Sequence, residues 1–305
     1  MSDRKPPESP YRGPQGPKRD KRERERDRAA DAPRDASRDR PRRAMAPRER
    51  EVPEAPKPPQ EQRLYGLNAC LAAFSHRPES LRKVWLLESR IPAMKSVLAW
   101  CVKHRLGYTL VEAEDLERLS GSAHHEGVVF GMLPAEELSA SAWLRDLAPG
   151  PQLAVWLDGV GNPHNFGAIA RSAAHVGATA LLLPRESSLA WSGAAARVAE
   201  GGAEAIPLVR LGRSDNAIAQ LVSAGFILAA TDVRQGQSLF ATRLPERLVL
   251  VLGAEHGGVD PVLAQASQLR LSIPGSGAVE SLNVAAAAAV LMAEWRRQRA
   301  APRGR

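Results

Sequence analysis

Five polar side chains in the second half of this 305-residue chain are the ones whose types and spacing point to chemistry: Asn165 and Arg171, Glu255, and Ser281 with Asn283. They lie in three short stretches, NFGAIAR (Asn165–Arg171), LGAEHGG (Leu252–Gly258) and IPGSGAVESLNV (Ile273–Val284). Each stretch joins an apolar, strand-like run to small residues, and the first and third lead into a helix. Strand ends of this kind hold a nucleotide-sized ligand, and amide donors at a helix start favour an anionic one.

The runs before these residues say how they are positioned. LAVWLDG (Leu153–Gly159) is a continuous apolar run closed by glycine, as expected of a parallel strand buried on both faces. The turn that follows is tightened by glycines and restricted by Pro163, so Asn165 is expected to cap a helix that ends at Gly177. Arg171 then sits about a turn and a half inside that helix, not stacked over Asn165. RLVLVLG (Arg247–Gly253) is a second β-rich run, and it delivers Glu255 to the C-terminal edge where open α/β sheets bind ligands. RLSIP (Arg270–Pro274) is a third, and the loop after it brings Glu280, Ser281 and Asn283 to the start of an alanine-rich helix reaching Arg299. ATALLLP from Ala178, AIPLVRL from Ala205 and FILAATD from Phe226 supply further strands, with helical segments at Ala194–Glu200 and Asp215–Ala224 between them. This alternation over about 150 residues reads as one α/β domain with a parallel sheet. Its three loops should meet at a common rim.

The usual nucleotide signatures are absent: neither GVGNPHNFG nor GAEHGGVD has the G-x-G-x-x-G spacing opening a helix, and no P-loop lysine appears. Taken singly, each polar residue has a plainer role open to it. Asn165 could be a helix cap, Arg171 a solvated helix residue, Glu255 a loop-orienting group, and Ser281 and Asn283 ordinary first-turn residues.

The three stretches together, in this order, resemble the three motifs of the SpoU/TrmH group of SPOUT methyltransferases, which methylate the ribose 2'-hydroxyl of tRNA or rRNA. The likeness spans Leu153–Arg297. It implies S-adenosylmethionine as cofactor, Asn165, Arg171, Glu255, Ser281 and Asn283 as the catalytic set, and Leu252, Gly253, Ile273, Pro274 and Leu282 as positions whose backbone wraps the cofactor. It also implies a trefoil knot in the C-terminal segment, against the rule that chains are not threaded, and a homodimer with the active site near its interface. Two positions depart from the group: Gly275 follows Ile-Pro where methionine is frequent, and His256 follows Glu255 where glycine is usual. Methyl transfer needs the acceptor oxygen aligned about 3 Å from the methyl carbon, so positioning supplies part of the rate. Because arginine stays protonated, Arg171 is read as a clamp on an RNA phosphate or developing alkoxide rather than a base. The other class of reading is a catalytically inactive RNA-binding protein of the same fold, for example one acting in ribosome assembly.

Upstream, residues 63–134 read as a small α/β unit: Arg63–Phe74 as an entry followed by a helix, Lys83–Ser89 as a strand, Ala93–His104 as a helix, and strands from Tyr108 and within His124–Leu133. YGLNAC and HEGVVF resemble the ribosomal-protein-like domain with which members of the group grip RNA. The adjacent His124 and His125 lack partners at metal-ligand spacing, so no metal site is expected. Residues 135–151 read as a linker, partly helical over Leu138–Leu147, and 152–305 as the catalytic domain.

Residues 1–62 differ in kind. They hold 18 Lys or Arg against 13 Asp or Glu, 12 prolines, and no Leu, Ile, Phe or Trp, so they cannot bury enough apolar surface to fold. A disordered basic tail that attracts RNA phosphates in a salt-dependent way is expected, with a purely solubilising tail as the alternative. The absence of an apolar span or leader points to no membrane partner and a cytoplasmic site of action, and Cys70 and Cys101 read as buried thiols.

Overall fold

In the computed structural model of the chain, the described residues are 60–254 and 257–300. The expected basic tail lies, up to position 59, outside the described residues, as do Glu255 and His256.

A first sheet is built from β1 (Gln62–Tyr65), α1 (Leu67–His76), β2 (Leu81–Leu86), α2 (Lys95–His104), β3 (Tyr108–Leu110), α3 (Ala113–Ser120) and β4 (Val128–Met132). Strand order is β1-β4-β2-β3, with β4 antiparallel to β1 and β2, and β3 parallel to β2. Leu81, Val84, Leu86, Phe130 and Met132 pack with Ala69, Ala73 and Val97 of the two helices. Cys70 and Cys101 are free thiols inside this core, and burial pushes the Cys70 thiol up. Helix α3 was not legible in the sequence, because it seats one fully buried residue, Leu116, against Tyr65, Trp85 and Val129. His125 is buried and its Nδ1 accepts from the Gly127 N–H at 3.0 Å, a structural role.

The larger sheet follows: β5 (Leu138–Ser139), α4 (Ala140–Arg145), β6 (Gln152–Leu157), α5 (Pro163–Val176), β7 (Ala180–Leu183), α6 (Gly193–Ala199), α7 (Gly202–Ala205), β8 (Leu208–Arg210), α8 (Ser214–Ser223), β9 (Ile227–Thr231), β10 (Gln237–Ser238), β11 (Arg247–Leu252), α9 (Pro261–Ala266), β12 (Leu269–Ser272) and α10 (Val284–Arg297). Its eight strands are ordered β10-β12-β9-β11-β6-β7-β8-β5 and all pairs are parallel. Residues 135–151 are thus more than a linker: Leu138 and Ser139 pair with Val209 and Arg210 and add an edge strand. Two residues are too few for a period to show in sequence.

Why both faces of this sheet are covered is written in β6 and β11. Leu153, Val155 and Leu157, with Leu248, Leu250 and Leu252, face α5, α6 and α10, whereas Ala154, Trp156, Val249 and Val251 face α4, α8 and α9. Such two-sided burial is what a continuous apolar run provides. From β6 the chain steps to β7 and β8 on one side, then crosses to β9, β11 and β12 on the other. The order therefore reverses between β6 and β11, and crevices at such reversals are where open α/β sheets bind ligands.

The two sheets touch through α6 and α7. A side chain at Gly193 would come within 2.5 Å of the Arg63 carbonyl and the Tyr65 ring, so the start of α6 lies directly on β1. Arg77, at the end of α1, pairs with Glu204 of α7 through Nε at 2.9 and 3.1 Å and Nη2 at 2.9 Å, and its Nη1 donates to the Leu133 carbonyl at 2.6 Å.

Candidate active site

The rim of the large sheet is organised by asparagines. Asn162, not Asn165, caps α5: its Oδ1 accepts from the His164 N–H at 2.8 Å, and Pro163 occupies the first helical position. Proline is pre-organised for that position and its missing N–H is not needed there, which moves the cap one residue ahead of it. Asn165 consequently lies in the first turn with its side chain available for another partner. That partner is Asn283, which caps α10 through Oδ1 to the Ala285 and Ala286 N–H groups at 2.9 and 3.4 Å and donates from Nδ2 to Asn165 Oδ1 at 3.1 Å. Because its oxygen faces the helix N–H groups, its NH2 must face Asn165. The orientation of both amides follows, with the Asn165 NH2 directed away from Asn283.

Beside this bridge lies a cavity of about 200 Å³ lined by Gly159, Val160, Gly161, Asn162, Asn165, Ala254 and Val284. All three predicted stretches, or the residues next to them, contribute to it. Leu252 pairs with Leu157 in the β11–β6 register, so the loops leaving the two strands start side by side. Gly253 can carry no side chain, since a Cβ there would lie 2.0 Å from the Gly258 carbonyl carbon. The Ala254 and Gly258 backbones bond reciprocally at 3.0 and 2.9 Å and close the loop on itself. Asp158 anchors the far end of that loop by accepting from the Asp260 N–H at 2.6 Å. Burial, then the nearby Asp260 and Glu186 charges, raise the Asp158 carboxyl, while the Asp260 N–H opposes them.

The third stretch forms the open side. Ile273 is half-buried against the core, Pro274 and Ser281 are exposed, and Leu282 and Val279 show 47% and 72% of their surface to solvent. Glu280 pairs with Arg234 at 3.0 Å, tying the loop after β12 to the one after β9. The 200 Å³ cavity is smaller than the roughly 300–1,000 Å³ of ligand pockets, so a nucleoside cofactor would fill it only in part and extend toward the exposed apolar side chains of the third stretch. Apolar walls, backbone-lined strand ends and a fixed amide pair fit such a group.

Arg171 is placed differently. Six residues from Asn165 put it about 9 Å along α5 and roughly 120° around it, on the side facing the small sheet. There its Nη1 lies 3.8 Å from Glu200 Oε1, with 62% of the arginine side chain and 33% of the glutamate exposed. The structure thus brings Asn165, Asn283 and the Gly253 loop together and sets Arg171 apart beside Glu200, a residue the sequence did not single out. Glu255 lies outside the described residues. Among the described residues no three His, Cys, Asp or Glu side chains are grouped to hold a metal.

Comparison with known proteins agrees with this layout. Residues 152–293 match the family model described as SpoU rRNA Methylase family, and residues 63–137 the one described as RNA 2'-O ribose methyltransferase substrate binding. The chain is 36% identical over 239 residues to "Uncharacterized tRNA/rRNA methyltransferase YfiF" of Escherichia coli O157:H7, covering 78% of this chain and 69% of that protein. It is 31% identical over 244 residues to the 23S rRNA (guanosine-2'-O-)-methyltransferase RlmB of Pseudomonas putida, covering 79% and 98%. The solved AdoMet-bound rRNA methyltransferase from Sinorhizobium meliloti shares the fold, with a TM-score of 0.65 at 24% identity, over 79% of this chain and 89% of that one. Fold, site and matched segments define an RNA 2'-O-ribose methyltransferase with a substrate-binding unit ahead of its catalytic sheet. The chain belongs to the SpoU rRNA methylase family.

Proposed function

We propose that the chain methylates a ribose 2'-hydroxyl in ribosomal RNA, using S-adenosylmethionine held at the β6–β11 crevice. When bound, that cofactor supplies a methyl carbon already activated by its sulfonium. The observation that carries the reading is the Asn283–Asn165 amide bridge at the mouth of the crevice. Backbone at Leu252, Gly253, Ile273, Pro274 and Leu282 holds the cofactor, and Asn165 and Asn283, with Ser281 beside them, orient the groups around the acceptor oxygen. Glu255 steadies the loop after β11. Arg171, set apart from the amide pair beside Glu200, clamps an RNA phosphate with its planar, permanently charged fork, and reaches the developing alkoxide only if the homodimer brings it to the partner's site.

The remaining parts have a division of labour. Residues 63–134 grip the RNA, a role supported by Arg63 and Lys83 lying 4.5 and 4.9 Å over the Trp85 ring, a cation-bearing aromatic face on the small sheet. Residues 135–151 connect it to the catalytic domain, 152–305, and the basic segment ahead of β1 adds phosphate attraction that weakens with salt. The C-terminal segment forms a trefoil knot in this reading, which the family resemblance implies and with which the packing of α10 on α5 is compatible. The working form is a homodimer, with Val279 and Leu282 shielded by cofactor and partner together. Among the described residues no helix is long and apolar enough to cross a membrane, and the site of action is the cytoplasm.

The test is methyl incorporation from labelled S-adenosylmethionine into rRNA and, separately, tRNA from a deletion strain, with wild-type and Asn283→Ala protein. Incorporation into rRNA at one nucleotide, lost in the variant, is the expected result. Incorporation into tRNA alone would overturn the choice of substrate. No incorporation, with no heat on adding the cofactor but tight RNA binding, would replace the enzyme by an RNA-binding protein of the same fold.

A further inference from the structure

Arg171 is a clamp in the reading above, and the inference here rests on that reading: we infer that Glu200 is the positioning residue for Arg171, and that it is itself seated by Asn68 of the small sheet. Three observations converge. Glu200 Oε1 faces Arg171 Nη1 at 3.8 Å while its Oε2 accepts from Asn68 Nδ2, 132 positions away in sequence, at 2.7 Å, so one carboxylate joins α1 to α5. The backbone beneath is wedged between the same two helices. A Cβ on Gly202 would sit 3.1 Å from Arg171 Cα, and one on Gly201 3.1 Å from the Ala72 Cβ of α1. Last, Glu200 adopts φ +51° as the residue closing α6, a left-handed conformation in which glycine is at ease and glutamate is not. Glycines occupy the next two positions, whereas this left-handed position carries a carboxylate.

The geometry suits a tether that RNA can displace. At 3.8 Å and with the arginine mostly exposed, the pair is too weak to hold Arg171 against a phosphate, but strong enough to bias which way an otherwise free side chain points. Asn68 fixes the carboxylate from the side of the unit that grips RNA, so the arginine is aimed by the docking of that unit on α6.

Glu200→Gly separates this role from a structural one, because it relieves the left-handed strain while removing the carboxylate. Wild type, Glu200→Gly, Arg171→Ala and the double variant are compared for melting temperature, for kcat/KM on rRNA, and for RNA affinity by filter binding, which needs no turnover. Glu200→Gly is expected to melt at or above the wild-type temperature. It should lower kcat/KM by about three- to fivefold, the reach of an exposed ion pair, and have no further effect in the Arg171→Ala background. RNA affinity should follow the same non-additive pattern. Equal losses in both backgrounds, or a Glu200→Gly protein as active as wild type, would overturn the inference and leave the methyltransferase reading in place. An inactive wild type would overturn that reading instead, and the affinity cycle would still decide whether Glu200 works through Arg171.

Discussion

Asn283 does two things with one side chain, and a single substitution can part them. Its Oδ1 caps α10 by accepting from the Ala285 and Ala286 N–H groups, and its Nδ2 donates to Asn165 Oδ1 at 3.1 Å. Asn283→Asp keeps the cap, since aspartate serves that position as well as asparagine and its charge suits a helix N-terminus. It also sets a second oxygen against Asn165 Oδ1. The Asn165 amide must then flip or move away, and the donor it presents to the site is lost. Removing one oriented donor costs about 10²-fold in turnover, or roughly 2.7 kcal/mol of transition-state stabilisation. Asn283→Ala loses the cap, about 1 kcal/mol, and the amide bond, about another. For a folded unit of this size the sum lowers the melting temperature by roughly 4–8 °C. The assay is methyl transfer at saturating RNA and cofactor, with thermal melting on the same samples. Aspartate should give a protein within about 2 °C of wild type but nearly inactive, and alanine one both unstable and inactive. An Asn283→Asp protein of wild-type activity would show that the amide bridge has no part in the reaction.

Other consequences can be measured alongside. Arg77→Ala strands Glu204, whose side chain is only 9% exposed, and should cost about 3–5 kcal/mol in denaturant unfolding; Arg77→Lys should recover little of it, because a single ammonium cannot reproduce the fork that bonds Glu204 and Leu133 together. Gly253→Ala forces a methyl into the Gly258 backbone, so about 1–3 kcal/mol of destabilisation and loss of cofactor heat in calorimetry are expected. Hydrogen bonds from Arg297 and then Gln298 pull the Glu294 carboxyl down to about 2 from its ordinary 4.5. Its folded value lies below the unfolded one, so its stabilisation is fully present above about pH 4.5 and fades as pH falls toward 2. The stability gap between wild type and Glu294→Gln should therefore be level at neutral pH and close across that acid window; a gap that widens on acidification would contradict the assignment.

What the sequence made legible was local. Leu153–Leu157 and Leu248–Leu252 announce themselves as buried parallel strands because every side chain in them meets a core on one face or the other. Asn283 is followed by an alanine run, so its place at a helix start is visible from composition alone. The cap of α5 lies three residues ahead of the expected Asn165 because Pro163 is the first residue of the helix and not part of the turn before it. With Asn162 satisfying the helix end, the Asn165 side chain is left to meet Asn283. Beyond the strand ends, legibility falls with sequence separation. Arg77 finds Glu204 127 positions away and Asn68 finds Glu200 132 away, and both carboxylates sit among glycines and alanines that read as an undistinguished helix end. Those two contacts join the small sheet to the catalytic one together with the start of α6 lying on β1. Three motifs thus point to the reaction class that the family match supports, whereas the link proposed from the small sheet to Arg171 runs through a turn, Glu200–Gly202, whose significance appears only when α1 and α5 are seen on either side of it.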